Sequence, residues 1–210
     1  MTLPLPLAVL GASPAVPLVA AGVYWRRMRG PRAWVLGWVA VQAAGSALQL
    51  WLGLHGTTNL WVSYVVEPLS GALLLWTLSL WQIEPVARLT MRLAIPAVLA
   101  TFVVLTLAFD STSTFSRAAQ PMLYLVCLGA GAYTIVLRSR VAAGDLLHKD
   151  WLWVCAGMVL YYGTGASLFP LSRLLLGSDL GLFVRAYELA NAAGAVAFLA
   201  VARGIVCPAP

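Results

Sequence analysis

Residues 33–54 read AWVLGWVAVQAAGSALQLWLGL, a run with no charged side chain that follows Arg26, Arg27, Arg29 and Arg32 and stops at His55-Gly56-Thr57-Thr58-Asn59. A helix rises about 1.5 Å per residue, so this run is long enough to cross a hydrocarbon layer of about 30 Å. Inside it, Gln42, Ser46 and Gln49 recur at i, i+4 and i+7, with Gly45 and Gly53 on nearly the same side. A polar stripe on a membrane helix has to turn away from lipid, so the pattern predicts a spanning helix packed against others.

The same reading extends in both directions. Apolar runs occur at about 3–25, 33–54, 61–82, 91–109, 119–137, 151–170 and 180–202. The 210 residues are 61% hydrophobic and 10% charged, with mean hydropathy +0.88, against roughly 45–50% apolar and about 25% charged in a soluble domain. The fold class expected is an all-α, polytopic membrane bundle of about seven transmembrane helices, forming one domain over residues 1–210. This leaves no room for a soluble catalytic domain and no exposed basic surface for nucleic acid. The three cysteines, Cys127, Cys155 and Cys207, lack metal-ligand spacing; the first two read as packing residues within apolar runs.

The formal charge of +6 is unevenly distributed. Arg26, Arg27, Arg29, Arg32, Arg88, Arg92, Arg138, Arg140, Lys149 and Arg203 fall in one set of connections, against Arg117 and Arg173 in the other, with Arg185 inside the last run. The positive-inside rule then predicts the N-terminus outside and the C-terminus cytoplasmic. No Lys or Arg precedes Arg26, so the first run is expected to be an anchor instead of a cleaved signal. Arginine outnumbers the single lysine, Lys149, a usage that fits a bacterial inner-membrane protein. Trp25, Trp34, Trp51, Trp61, Trp81 and Trp151 lie near span ends and are expected as interfacial anchors, with Trp38, Trp76 and Trp153 as packing residues. Leu168 to Leu180 is expected as a short helix lying in the interface.

Ionisable groups within hydrocarbon are costly and serve as site candidates by default. Glu67, Arg185 and Glu188 lie at similar depth near the outer ends of their spans, and Glu67 is placed to pair with Arg185 across the bundle. Asn191 continues the line of Arg185 and Glu188. With the stripe Gln42, Ser46 and Gln49, and the hydroxyls of Tyr124, Tyr161 and Tyr162, these residues define an expected polar cavity reached from outside. The third span contributes Ser63, Glu67, Ser70 and Gly71 on one face. The cytoplasmic halves hold only scattered groups such as Thr77, Ser79 and Thr134, which can bond back to their own helices. Gly11, Gly22, Gly129, Gly131, Gly163, Gly165 and Gly194 are expected to let helices approach closely.

An internal repeat is a further expectation. Ala20 to Tyr24 resembles Gly129 to Tyr133, and Glu67 to Ala72 resembles Glu188 to Ala193. A three-plus-one-plus-three plan would make Glu67 and Glu188 equivalent and face them across an axis. The helix plan, with a basic linker leading into a Trp-rich second helix, is similar to the membrane sensor regions at the front of some bacterial histidine kinases, and that resemblance implies a sensor. Size and orientation also look like the seven-helix sugar-efflux transporters. A retinal pigment is excluded, because the only lysine is Lys149, in a loop.

No nucleophile, metal set or cofactor motif stands out, and His55 and His148 sit in loops on opposite faces. The reading is a noncatalytic module that binds a small cation or neutral polar molecule from outside. Its partners would be the bilayer and a cytoplasmic or membrane protein docked on Arg138 to Asp150. A small proton-coupled carrier, or an assembly subunit of a larger membrane complex, are the alternatives.

Overall fold

The computed structural model describes residues 12–111, 116–142, 144–178 and 180–208. Among these the chain is all helical, with seven helices and no strand: α1 (Ala15–Val23), α2 (Pro31–Leu54), α3 (Leu60–Trp81), α4 (Pro85–Phe109), α5 (Ala119–Val141), α6 (Asp150–Ser178) and α7 (Leu180–Val206). Short 3₁₀ turns fill Trp25–Arg27 and Leu146–His148. Helices α2 to α7 are each long and apolar enough to cross a membrane. Helix α1 has 9 residues; residues 3–11 of the expected first span lie outside the described residues.

Local chemistry sets several boundaries. Pro31 and Pro85 occupy the first turns of α2 and α4, where the missing N–H costs nothing. Asp110, at the end of α4, receives the backbone N–H groups of Arg117 at 2.6 Å, Ala118 at 3.2 Å and Ala119 at 3.2 Å. A carboxylate therefore satisfies the free donors at the start of α5. Asp145 accepts the Leu147 N–H at 2.9 Å, and this donor, followed by His148, holds its carboxyl below the usual range.

The packing order runs α1, α2, α3, α5, α6, α7 and back to α1, with α4 outside against α3 and α5. Hydropathy explains which helix is central. The most apolar stretch of α4 has mean hydropathy 2.1 and is 11% buried, whereas that of α3 has 1.3 and is 56% buried. In lipid an apolar face needs no cover, while polar groups need partners, so the least apolar helix takes the middle.

The basic connections all meet at one end. There Arg32 pairs with Asp150 at 2.8 Å and donates to the Pro208 carbonyl at 3.2 Å. Arg27 reaches the Val206 carbonyl at 3.2 Å and Arg88 the Gln82 carbonyl at 3.0 Å. Cations thus cover the carbonyl ends of α7 and α3, where the helix dipole favours positive charge. Arg92 lies over Trp76 and Arg138 over Trp151. Thr77, Ser79 and Thr134 bond back to carbonyls of their own helices at 2.7 to 2.8 Å, as the sequence predicts.

Three expectations need correction. Trp81 and Trp151 are buried core residues, while Trp25, Trp34, Trp51 and Trp61 are exposed. Residues 168–178 do not form a separate helix but continue α6 through Pro170. The close helix approaches fall mostly at other glycines. Space is open around Gly22, Gly129 and Gly194, whereas a methyl at Gly157 would meet the Ala197 carbonyl oxygen at 2.5 Å and one at Gly204 would meet Val154 at 2.6 Å. Gly11 lies outside the described residues.

Candidate functional site

A pocket of about 240 Å³ lies between α2, α3, α5, α6 and α7, at the end of the bundle away from the basic connections. Each helix supplies a stripe. From α2 come Gln42, Gly45, Ser46 and Gln49, and from α3 Ser63, Val66 and Glu67. Helix α5 gives Gln120 and Tyr124; α6 gives Tyr161, Thr164, Gly165, Leu168 and Ser172; α7 gives Tyr187, Ala190, Asn191, Gly194 and Phe198. The spacings of three and four residues are those of one helix face.

Among the described residues, Glu67 is the only charged side chain in the lining. It is buried, with the side chains of Tyr124, Gln42, Ser70 and Tyr161 around its carboxyl. Its second oxygen, Oε2, is buried and has no hydrogen-bond partner. Behind the carboxyl runs a connected polar chain. Trp38 Nε1 donates to Tyr162 Oη at 3.0 Å, which lies 3.4 Å from Ser70 Oγ. Gln42 Nε2 donates to the same Ser70 oxygen at 3.0 Å, and Tyr161 Oη donates to Gln42 Oε1 at 3.0 Å. Ser70 in turn donates to the Glu67 carbonyl at 2.9 Å. Side chains from three helices, α2, α3 and α6, therefore form the network behind one acid.

The other walls are equally determined by neighbours. Gln120 Nε2 donates to Ser63 Oγ at 2.7 Å, and the Gln120 N–H to Ser116 Oγ at 2.9 Å, a segment anchored by Asp110. Aromatic rings from α5, α6 and α7 form another part of the wall. Tyr124 lies 5.2 Å from Phe169 and 6.2 Å from Tyr161, and Tyr161 lies 5.6 Å from Phe198, all between ring centroids. Gly165 makes this possible, since any Cβ there would collide with the Tyr124 ring. At the mouth, Tyr187 is exposed, one helical turn from Asn191.

Of the residues singled out in the sequence, Glu67, Gln42, Ser46, Gln49, Tyr124, Tyr161 and Asn191 come together in this lining. Tyr162 stands one layer behind it, in the core. Arg185 and Glu188 are exposed and outside the lining, and among the described residues no ion pair joins Arg185 to Glu67. Glu188 accordingly does not face Glu67. The cause is geometric: three residues fall about 60° short of a full turn, so two such steps carry Asn191 about 120° round from Arg185. His55 is also outside, its ring against Trp51 and its Nδ1 2.8 Å from the Trp51 carbonyl oxygen.

Sequence reasoning missed Gln120, Thr164, Ser172, Tyr187 and Phe198. The signal was there: Gln120 and Tyr124 are four apart, and Tyr161, Thr164, Leu168 and Ser172 repeat at i, i+3, i+7 and i+11. Trp38, read as packing, also anchors the polar chain.

Fold and site together define a multi-pass helical membrane protein with a polar, single-acid pocket at the end of the bundle opposite its basic connections. No known protein family, curated protein or solved structure matches the chain.

Proposed function

We propose that the protein is a noncatalytic binding module of a bacterial inner membrane, which takes a small ligand into this pocket from outside and signals its occupancy to a partner. The observation that carries the reading is the buried Glu67 Oε2, left without a partner in a residue that lines the cavity together with further polar side chains. A buried acceptor is costly when unpaired, so a ligand that supplies a donor is favoured there. Pro68 removes one rung of the α3 hydrogen-bond ladder directly after Glu67 and gives that helix a point of flexure. Binding at Glu67 would bias α3 between two packings, and the connection Arg138 to Asp150 is the surface offered to the partner.

The packing of the basic half favours sensing over transport. Val35, Leu74, Leu78, Val154, Val201 and Ile205 are all buried there, and the polar side chains buried nearby, Thr77, Ser79, Gln82 and Thr134, bond back to their own helices, with Gln82 also bonded to Thr134. A proton-coupled carrier would have to part this layer.

The test is thermal unfolding of the purified protein in detergent against a panel of small polar molecules. A ligand that binds only the folded form raises the midpoint by mass action. The expected result is a saturable shift that Glu67→Gln removes and Glu188→Gln retains. Shifts indifferent to Glu67→Gln would place binding elsewhere, and uptake of the ligand by vesicles holding the protein alone would favour the carrier.

A further inference from the structure

Resting on that binding reading, we infer that the pocket's ligand is a small organic ammonium ion, with Glu67 as its counter-ion and the tyrosine and phenylalanine rings as its apolar wall. The charge balance of the lining points this way. Among the described residues Glu67 is its one carboxylic acid, and no lysine, arginine or histidine side chain contributes to it; Arg185 is exposed outside. An anion would enter against the carboxylate with nothing to hold it. A cation with N–H groups supplies what the site lacks, a donor to the unpartnered Oε2 together with the opposite charge.

The choice of an organic cation follows from the remaining walls. A hard metal ion requires several oxygen ligands, commonly two or more carboxylates, and among the described residues no group of three His, Cys, Asp or Glu side chains gathers anywhere. Beside Glu67 stand the rings of Tyr124, Tyr161, Phe169 and Phe198, Tyr124 edge to face with Phe169 and Tyr161 edge to face with Phe198. Such rings attract alkylammonium groups through their quadrupoles and cover their carbon atoms, whereas a hydrated metal ion gains nothing from them. The volume of about 240 Å³ equals about eight waters, enough for a compact amine and too little for a peptide. The amides of Gln49 and Asn191, half-buried at the mouth, are placed to bond polar groups at the far end of the molecule.

Matched probes test the inference without relying on a variant that has to fold. Thermal unfolding would be recorded with cyclohexylamine and benzylamine, with cyclohexanol and benzyl alcohol as neutral counterparts, with cyclohexanecarboxylate, and with sodium, potassium and magnesium chloride. The expected outcome is a saturable rise in midpoint with the amines at millimolar concentration, at least tenfold weaker for the alcohols and absent for the carboxylate. Glu67→Gln should bring amine and alcohol to the same level. Equal shifts from amines and alcohols, lost in Gly194→Ala, would overturn the ammonium assignment and leave the binding reading standing. Shifts from the metal salts as large as those from the amines would make the site an inorganic cation site and overturn it too. No shift from any probe would remove both.

Discussion

Tyr161 and Tyr162 are neighbours in sequence with opposite duties. Consecutive residues point about 100° apart on a helix, so one faces the pocket and the other the core. Tyr162→Phe should leave Trp38 Nε1 without its acceptor and lower stability by about 1 kcal/mol, read as a lower unfolding midpoint, with ligand response intact. Tyr161→Phe should do the reverse, weakening the ligand-induced shift several-fold by taking a hydroxyl from the lining. Gly194→Ala isolates the pocket most cleanly. No atom lies within 4 Å of the added methyl, so the fold accommodates it, and replacing a helical glycine should raise stability by up to about 1 kcal/mol while the narrowed cavity loses affinity. Legibility in the sequence followed the same geometry. Gln42, Ser46 and Gln49 stay within about 60° of one another and were readable as a face, whereas the line from Arg185 through Glu188 to Asn191 drifts away from it. Glu67 was legible because an acid in an apolar helix has few places to go. Its partners were not, since contacts between Trp38, Ser70 and Tyr162 depend on how helices rotate against each other, which local spacing does not encode.

Among helices, α6 and α7 lie closest, and two glycines control their separation. A methyl at Gly157 would face the Ala197 carbonyl oxygen at 2.5 Å, and one at Gly204 the Asp150 carbonyl oxygen at 2.9 Å. Backbone atoms cannot rotate aside, so Gly157→Ala should destabilise by about 1 to 3 kcal/mol, while Gly129→Ala, with open space around it, should be neutral or slightly stabilising. Paired thermal unfolding curves in one detergent decide this. The helix plan itself was readable from six long apolar runs, because the bilayer fixes their length. Which small residues sit at contacts was not, since glycines with open space around them, such as Gly22, Gly37 and Gly129, occur in the same helices as glycines packed against a neighbour or in the helices beside them. The α4–α5 connection was also opaque: nothing in the sequence singles out Asp110, yet it caps the helix that carries Gln120 and Tyr124. Asp110→Ala should cost about 1 to 2 kcal/mol and loosen that wall of the pocket.

For the molecule as a whole, the two ends of the bundle carry different loads. At the basic end Arg32 and Asp150 form a largely buried pair that joins α2 to α6, and Arg32 and Arg27 also bond the chain beyond and at the end of α7. Removing one member leaves a buried charge unpaired, so Asp150→Asn should destabilise by about 3 kcal/mol, without altering the relative response to amine and alcohol at the opposite end. The asymmetry of charge also predicts how the chain sits in its membrane. Cys127, Cys155 and Cys207 are all buried, so single cysteines placed on exposed positions report topology over a low background. Thr57, between α2 and α3, and Ser139, near the end of α5, are exposed at opposite ends. In intact cells a membrane-impermeant thiol reagent should label Thr57→Cys, and it should reach Ser139→Cys only after the membrane is opened. That outcome puts the Glu67 pocket within reach of molecules outside the cell and the Arg138 to Asp150 connection within reach of a cytoplasmic partner. The reversed pattern would turn the pocket inward, where it would sample cytoplasmic amines and the direction of signalling would be the opposite.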